Sequence, residues 1–369
     1  MSRLWYNKNK ALKVIMEKYS MRDLLISSIG MYSKTDLKAV ERMLKNADLI
    51  LAEDGKDGSV PDSRDFILNM LNREPNKVQE IIEKFEIEKL YKYSSLFQVS
   101  NSEEDLREKL ESFTSESQLT TTIDNCTISK YPYKGTDTYI VKFLKRCTGA
   151  KLIGDTATTY SARYPMLAVY YPKYNIVEIR VHTISSFLRN NENDFYNERI
   201  SEVRRDFESK FSVNLDAISL DKVVNYIAEK DSAVKVSSQK MQLANGGDAT
   251  LNSSQSSDET VLPILGELSA IINDNADLFG KNQECQQIRQ LLEDFIKDTE
   301  ETSELPWRSL RWPNEIKKRS IQVKFNFVNL LSTNSNDFTL MEYYTNGRGM
   351  EGMNYVTTYI IEKYKESSS

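Results

Sequence analysis

Two stretches decide the fold: "QLTTTIDNCTISKYPYKGTDTYIVKFLKRC" (118–147) and "YPMLAVYYPKYNIVEIRVHTI" (164–184). Both are rich in Thr, Val, Ile and Tyr, whose branched or flat side chains suit a pleated surface, and Gly and Pro punctuate them. They read as strands. The residues before them read as helices. "KALKVIMEKY" (10–19) spaces its apolar positions on one helical face, and "SKTDLKAVERMLKNADLILAEDG" (33–55) opens with Ser33 and Asp36 in capping-box spacing and stops at Gly55. Pro61 and Pro75 sit where first-turn prolines are tolerated, and Ser102 with Asp105 forms a second box ahead of "LREKLESF".

Helical spacing returns in 193–211 and 219–230. In "AVKVSSQKMQLANGGDATLNSSQSSDE" (233–259) the first half alternates, Asn245-Gly246-Gly247-Asp248 can turn a hairpin, and the polar end resembles a linker. An acidic helical pair, the strands "RSIQVKFNFVNLL" (319–331) and "FTLMEYY" (338–344), and a closing helix follow. Strands mixed irregularly with helices point to an α+β, multidomain chain. The expected division is a helical N-terminal domain over 1–117, a central domain of mixed β-sheet with helices over 118–235, a hairpin and linker over 236–262, and a C-terminal α+β unit over 263–369.

With 369 residues, 40% of them hydrophobic and 28% charged, the chain has ordinary globular composition and length for more than one core. The start, "MSRLWYNKNKALKVIMEKY", puts charges where a secretory signal would be apolar, so none is expected, and no run suits a membrane helix. Cys126, Cys147 and Cys285 are odd in number and far apart, which fits reduced thiols in a cytoplasm better than a disulfide framework or zinc cage.

Gly347-Arg348-Gly349-Met350-Glu351-Gly352 spells the dinucleotide-binding glycine pattern. Too little chain follows for the second strand and its acidic residue, so a nucleotide fold is not expected. The plain reading is a tight strand-to-helix turn; the sharper one has helix-start N–H groups and Arg348 holding a phosphate or carboxylate.

The net charge of −5 conceals polarity along the chain. From 126 to 180, nine basic residues face three acidic ones, with nine Tyr and Phe residues interleaved. Cations neutralise phosphates and aromatic faces stack on bases, so Lys142, Lys145, Arg146, Lys151, Arg163 and Lys173 are the leading nucleic-acid contacts. A second cluster holds Arg308, Arg311, Lys317, Lys318, Arg319 and Lys324 with Trp307 and Trp312. Between the clusters, 258–304 has twelve acidic residues against three basic, a candidate docking segment for a protein partner.

His182 is the only histidine, which excludes multi-histidine metal sites and leaves it best read as structural. The enzymatic alternative is a metal-dependent nuclease. Asp155 and Glu178 would share one Mg²⁺ while Arg180 meets the attacked phosphate, although arginine cannot accept a proton near neutral pH. The expectation is therefore a non-catalytic cytoplasmic protein that binds nucleic acid, DNA first, or assembles with other chains. It carries no cofactor and no metal outside the nuclease alternative, no membrane association is expected, and self-association is compatible. A protein-only scaffold subunit is the remaining alternative.

Overall fold

The computed structural model describes residues 21–49, 62–100, 105–113, 126–154, 156–189, 194–242, 247–252, 263–301, 304–312, 320–327, 338–344 and 349–367. Eleven α-helices and eleven strands among them make a mixed α+β fold. The chain forms two compact units, each discontinuous in sequence: Met1–Tyr91, Val99–Leu215 and Gly349–Glu351 in one, and Lys92–Gln98, Asp216–Arg348 and Gly352–Ser369 in the other.

In the first unit, helices α1 (Met21–Met31), α2 (Lys34–Asn46), α3 (Ser63–Arg73) and α4 (Pro75–Glu88) pack around Ile29, Leu37, Val40, Leu44, Phe66 and Ile82. The Ser33 hydroxyl accepts the Asp36 N–H at 3.1 Å and donates to the Asp36 carboxylate at 2.8 Å, as the capping-box spacing predicts. Helix α2 ends at Asn46, well before Gly55, because Asp48 adopts a left-handed φ of 58°. Pro75 opens α4, where its missing N–H has no helical partner to lose. The 10–19 helix, Gly55 and Pro61 lie outside the described residues.

The predicted all-helical segment contains a strand, β1 (Tyr93–Ser100). Four consecutive residues of it, Ser94 to Phe97, are buried, so the alternation that betrays a half-exposed strand is missing. Helix α5 (Leu106–Ser112) is capped by Asp105 itself, whose carboxylate accepts the Arg107 N–H at 2.9 Å; Ser102 lies outside the described residues.

Strands β2 (Cys126–Tyr133), β3 (Thr136–Ile153), β4 (Thr156–Tyr171) and β5 (Ile176–Val181) form an antiparallel meander in that order. From Ser161 onward every residue of β4 is buried, and so is all of β5. Both faces are covered, which is why "YPMLAVYY" is nearly continuous in apolar residues. Helix α6 (Phe195–Phe211) and β6 (Asn214–Ala217) follow. Helices α1–α4 and the meander belong to one unit. The Ser28 hydroxyl on α1 accepts the Arg163 N–H of β4 at 2.9 Å, tying the two layers together.

One close approach constrains β3. A Cβ on Gly149 would lie 1.8 Å from the Phe187 carbonyl oxygen in the 3-10 turn Ser186–Leu188. Backbone against backbone cannot give way locally. Gly149→Ala is expected to lower stability by about 1–3 kcal/mol, read as a lower urea midpoint at unchanged m.

In the second unit, β7 (Lys235–Gln242), β8 (Asp248–Asn252), β9 (Glu304–Trp312), β10 (Ile321–Asn326) and β11 (Leu340–Tyr343) order as β1–β11–β10–β9–β7–β8, all antiparallel. The β7–β8 hairpin agrees with its turn residues, of which Asn245 and Gly246 lie outside the described set. Leu310, Trp312, Val323, Phe325, Met341 and Tyr343 point to one buried face. Helix α11 (Gly349–Ser367) lies on that side, with the Tyr359 ring edge-on to Trp312 at 6.0 Å. Helix α7 (Asp221–Lys230) joins it, Asp231 at its end accepting the Tyr359 hydroxyl. Helices α8 (Pro263–Asp274), α9 (Ala276–Phe279) and α10 (Gln283–Glu301) fill the acidic stretch.

Candidate nucleic-acid interface

Strand geometry dismantles the first basic cluster. Side chains alternate between faces along a strand, so Lys142 and Lys145, three apart on β3, point to opposite sides of the meander. An acidic helix covers each side. On one face α4 supplies Glu83 and Glu86. Lys142 pairs with Glu83 and, at 3.2 Å, with Glu86, while Arg163 reaches Glu83 at 2.7 Å and Glu86 at 3.1 Å. The Lys142 and Arg163 side chains are only 3% and 1% exposed. Burial, then the neighbouring Arg163 guanidinium, push the Lys142 ammonium well below its usual range.

On the other face α6 supplies Glu202 and Asp206, which both pair with Lys145. The expected surface role of Lys142 and Arg163 is thus corrected: they are interior ions already neutralised, and Lys145 is matched at the margin. Arg146 donates to the Ser161 hydroxyl at 3.2 Å. Lys151, near the end of the long β3–β4 hairpin, and Lys173, over the Tyr174 ring at 4.8 Å, are exposed but lie on different hairpins.

The nuclease frame fares similarly. Glu178 and Arg180 on β5 are fully buried and pair with each other at 2.6 Å. The Tyr171 hydroxyl donates to Glu178 at 3.0 Å and accepts from Arg180 at 2.8 Å. A carboxylate closed off in this way offers no face to a hydrated metal or a phosphodiester, which corrects its reading as a surface catalytic pair. Asp155 lies outside the described residues, and no group of three or more His, Cys, Asp or Glu residues able to hold a metal occurs among the described ones. His182 stands edge-on to Tyr91 at 6.0 Å, and its carbonyl accepts the Tyr164 hydroxyl at 2.5 Å.

Of the glycine motif, Gly349, Met350, Glu351 and Gly352 are described, and they open helix α11. Gly349 has φ +53, and a Cβ there would sit 2.3 Å from the Glu88 carbonyl oxygen, so glycine is required by backbone approach. Gly347 and Arg348, with Lys317, Lys318 and Arg319, lie outside the described residues.

Of the second basic cluster, Arg311 and Lys324 share one face of the second unit's sheet. Opposite the buried face of the second unit's sheet, β9 presents Trp307, Ser309 and Arg311, and β10 presents Gln322, Lys324 and Asn326 in matching register. Lys240 of β7 pairs with Trp307, and Glu342 of β11 pairs with Lys324. Apart from Ser309, all of these are half-exposed. The Lys324 ammonium lies 4.2 Å from the centre of the Trp307 indole. Beside the β1–β11 pair Lys92 sits 3.7 Å over the Tyr344 ring, which is 49% exposed, and pairs with Glu342 at 3.2 Å. Partial burial lowers the Lys324 pKa; Glu342 opposes this, and the nearby Lys240 and Lys92 lower it further. Burial first, then its bond to Glu342, pushes the Tyr344 hydroxyl above its usual range.

Arg308, between Trp307 and Ser309, faces the other way. It donates to Gln239 at 2.9 Å and to Asn225 on α7 at 2.7 Å, and burial lowers its pKa. It therefore belongs to the helix-covered face and leaves Arg311 as its cluster's outward arginine on β9. Lys92, Lys240 and Tyr344 were not singled out from the sequence. Lys240 follows from the alternation of "KVSSQKMQ", but Lys92 and Tyr344 come together only through pairing of β1 with β11, across some 250 residues. Comparison of the chain with protein-family models, with curated proteins and with solved structures finds no match.

Proposed function

We propose that this chain is a non-catalytic nucleic-acid-binding protein, with single-stranded DNA its leading ligand, that works through the half-exposed face of the β7–β11 sheet and needs no cofactor. The observation that carries the reading is the Lys324–Trp307 pair within that face, beside Lys240 and Arg311 and flanked by Lys92 over Tyr344. Indole and phenol rings give sequence-tolerant stacking platforms, while the cations follow the phosphates. A phosphate beside Lys324 would also offset the repulsion from Lys240 and Lys92 that contributes to its lowered pKa. Three free thiols fit a reducing compartment, and we assign the protein to the cytoplasm on that ground. Among the described residues no helix is long and apolar enough to cross a membrane. The proposal includes a protein partner at the acidic 258–304 stretch.

The test is fluorescence anisotropy with a labelled single-stranded oligodeoxynucleotide across a salt series. Log affinity is expected to fall linearly with log salt, and Lys324→Ala to flatten the slope by about 0.7. Trp307→Ala is expected to weaken binding by about 1–3 kcal/mol. Association indifferent to salt, or a Trp307→Ala/Lys324→Ala variant that binds like the parent, sinks the reading.

A further inference from the structure

Helix α10 is amphipathic and keeps part of its apolar side exposed. Ile288, Leu291 and Phe295, at helical spacing on one side, are 51%, 69% and 57% exposed, while Leu292 and Ile296 are half-buried. Ile271 on α8 and Leu278 on α9 are exposed as well. Amphipathic helices gain most of their stability by covering the apolar face, and a stripe this open marks an interaction surface. Glu284, Asp294 and Asp298 are exposed and border the stripe at i−4, i+3 and i+7 spacing. Across 263–301 nine acidic residues stand against three basic ones. A second copy of the same face would set acid against acid, and an anionic lipid surface would be repelled.

We propose that the α10 stripe docks an amphipathic helix of a partner protein, with an apolar seam and lysine- or arginine-rich flanks. The seam packs on Ile288, Leu291 and Phe295, and the flanks meet Glu284, Asp294 and Asp298. This rests on the protein-partner part of the proposed function and is independent of the sheet face.

The test uses the full chain and three labelled 20-residue peptides of one leucine seam whose flanks are lysine, glutamine or glutamate. The lysine peptide is expected to bind best and to weaken with salt. Leu291→Asp/Phe295→Asp should reduce its affinity about 30-fold. Both positions are exposed, so far-ultraviolet circular dichroism should be unchanged. Asp294→Lys/Asp298→Lys should transfer preference to the glutamate peptide. Equal binding of all three peptides, or preference for the glutamine or glutamate peptide by the parent chain, overturns the assigned partner chemistry but keeps a docking stripe. Binding of no peptide overturns the docking site itself, and so does binding unaffected by Leu291→Asp/Phe295→Asp. Dimerisation of the parent abolished by that variant assigns the stripe to a second copy and overturns the proposal.

Discussion

Glu86→Gln is expected to destabilise the first unit by about 3–5 kcal/mol, a large share of a typical domain's stability. The Glu86 carboxylate is shared by Lys142 at 3.2 Å and Arg163 at 3.1 Å, and all three side chains are almost completely buried. The amide keeps the volume and removes the charge, leaving Glu83 to balance two interior cations. Ionic groups cut off from water need their counter-charge, and half a network is worse than none. The triple variant Glu86→Leu/Lys142→Met/Arg163→Met should therefore lose much less than the single one, although it alters more atoms. Urea midpoints at unchanged m measure both. A single variant within about 0.5 kcal/mol of the parent would show that water reaches this cluster.

Arg180→Met should cost a similar amount, about 3–5 kcal/mol, by removing the guanidinium paired with the fully buried Glu178. The Tyr171 hydroxyl still donates to Glu178 at 3.0 Å, but one neutral hydrogen bond does not replace a guanidinium at 2.6 Å. Glu178→Leu in the same chain should recover most of the loss, and the coupling from the double-mutant cycle is the quantity to measure. Additive losses would mean that the two ions do not depend on one another. Loss of DNA cleavage in a Glu178→Ala variant would consequently report an opened core before it reported chemistry.

Much of the architecture was legible in the residues. The Thr/Val/Ile/Tyr stretches form the meander, Ser33 and Pro75 start their helices as expected, and the α+β class holds. Elements that escaped had lost their local signal. Strand β1 is buried on consecutive positions and shows no alternation, and Asp48 ends α2 by a backbone angle that its side chain does not announce. The candidate site was half legible. Counting charge along 126–180 placed Lys142 and Lys145 together, yet a period of two separates them, and the acids that match them, Glu83, Glu86 and Glu202, come from elsewhere in the chain. In β9 and β10 the same period gathers Trp307, Arg311 and Lys324 on one side and sends Arg308 to the other.

The covering of residues 138–144 of β3 and 161–171 of β4 on both sides has a consequence for how they find each other. Where water touches neither surface, oiliness alone barely distinguishes the native pairing from a frame shift by one residue. A shift of β3 by one position would turn Lys142 away from Glu83 and Glu86. We infer that the interior ions act as a key for strand alignment, so the charge-free triple variant should fold but sample mispaired forms, visible as peak doubling in amide spectra. A single clean set of resonances would show that apolar shape alone aligns these strands.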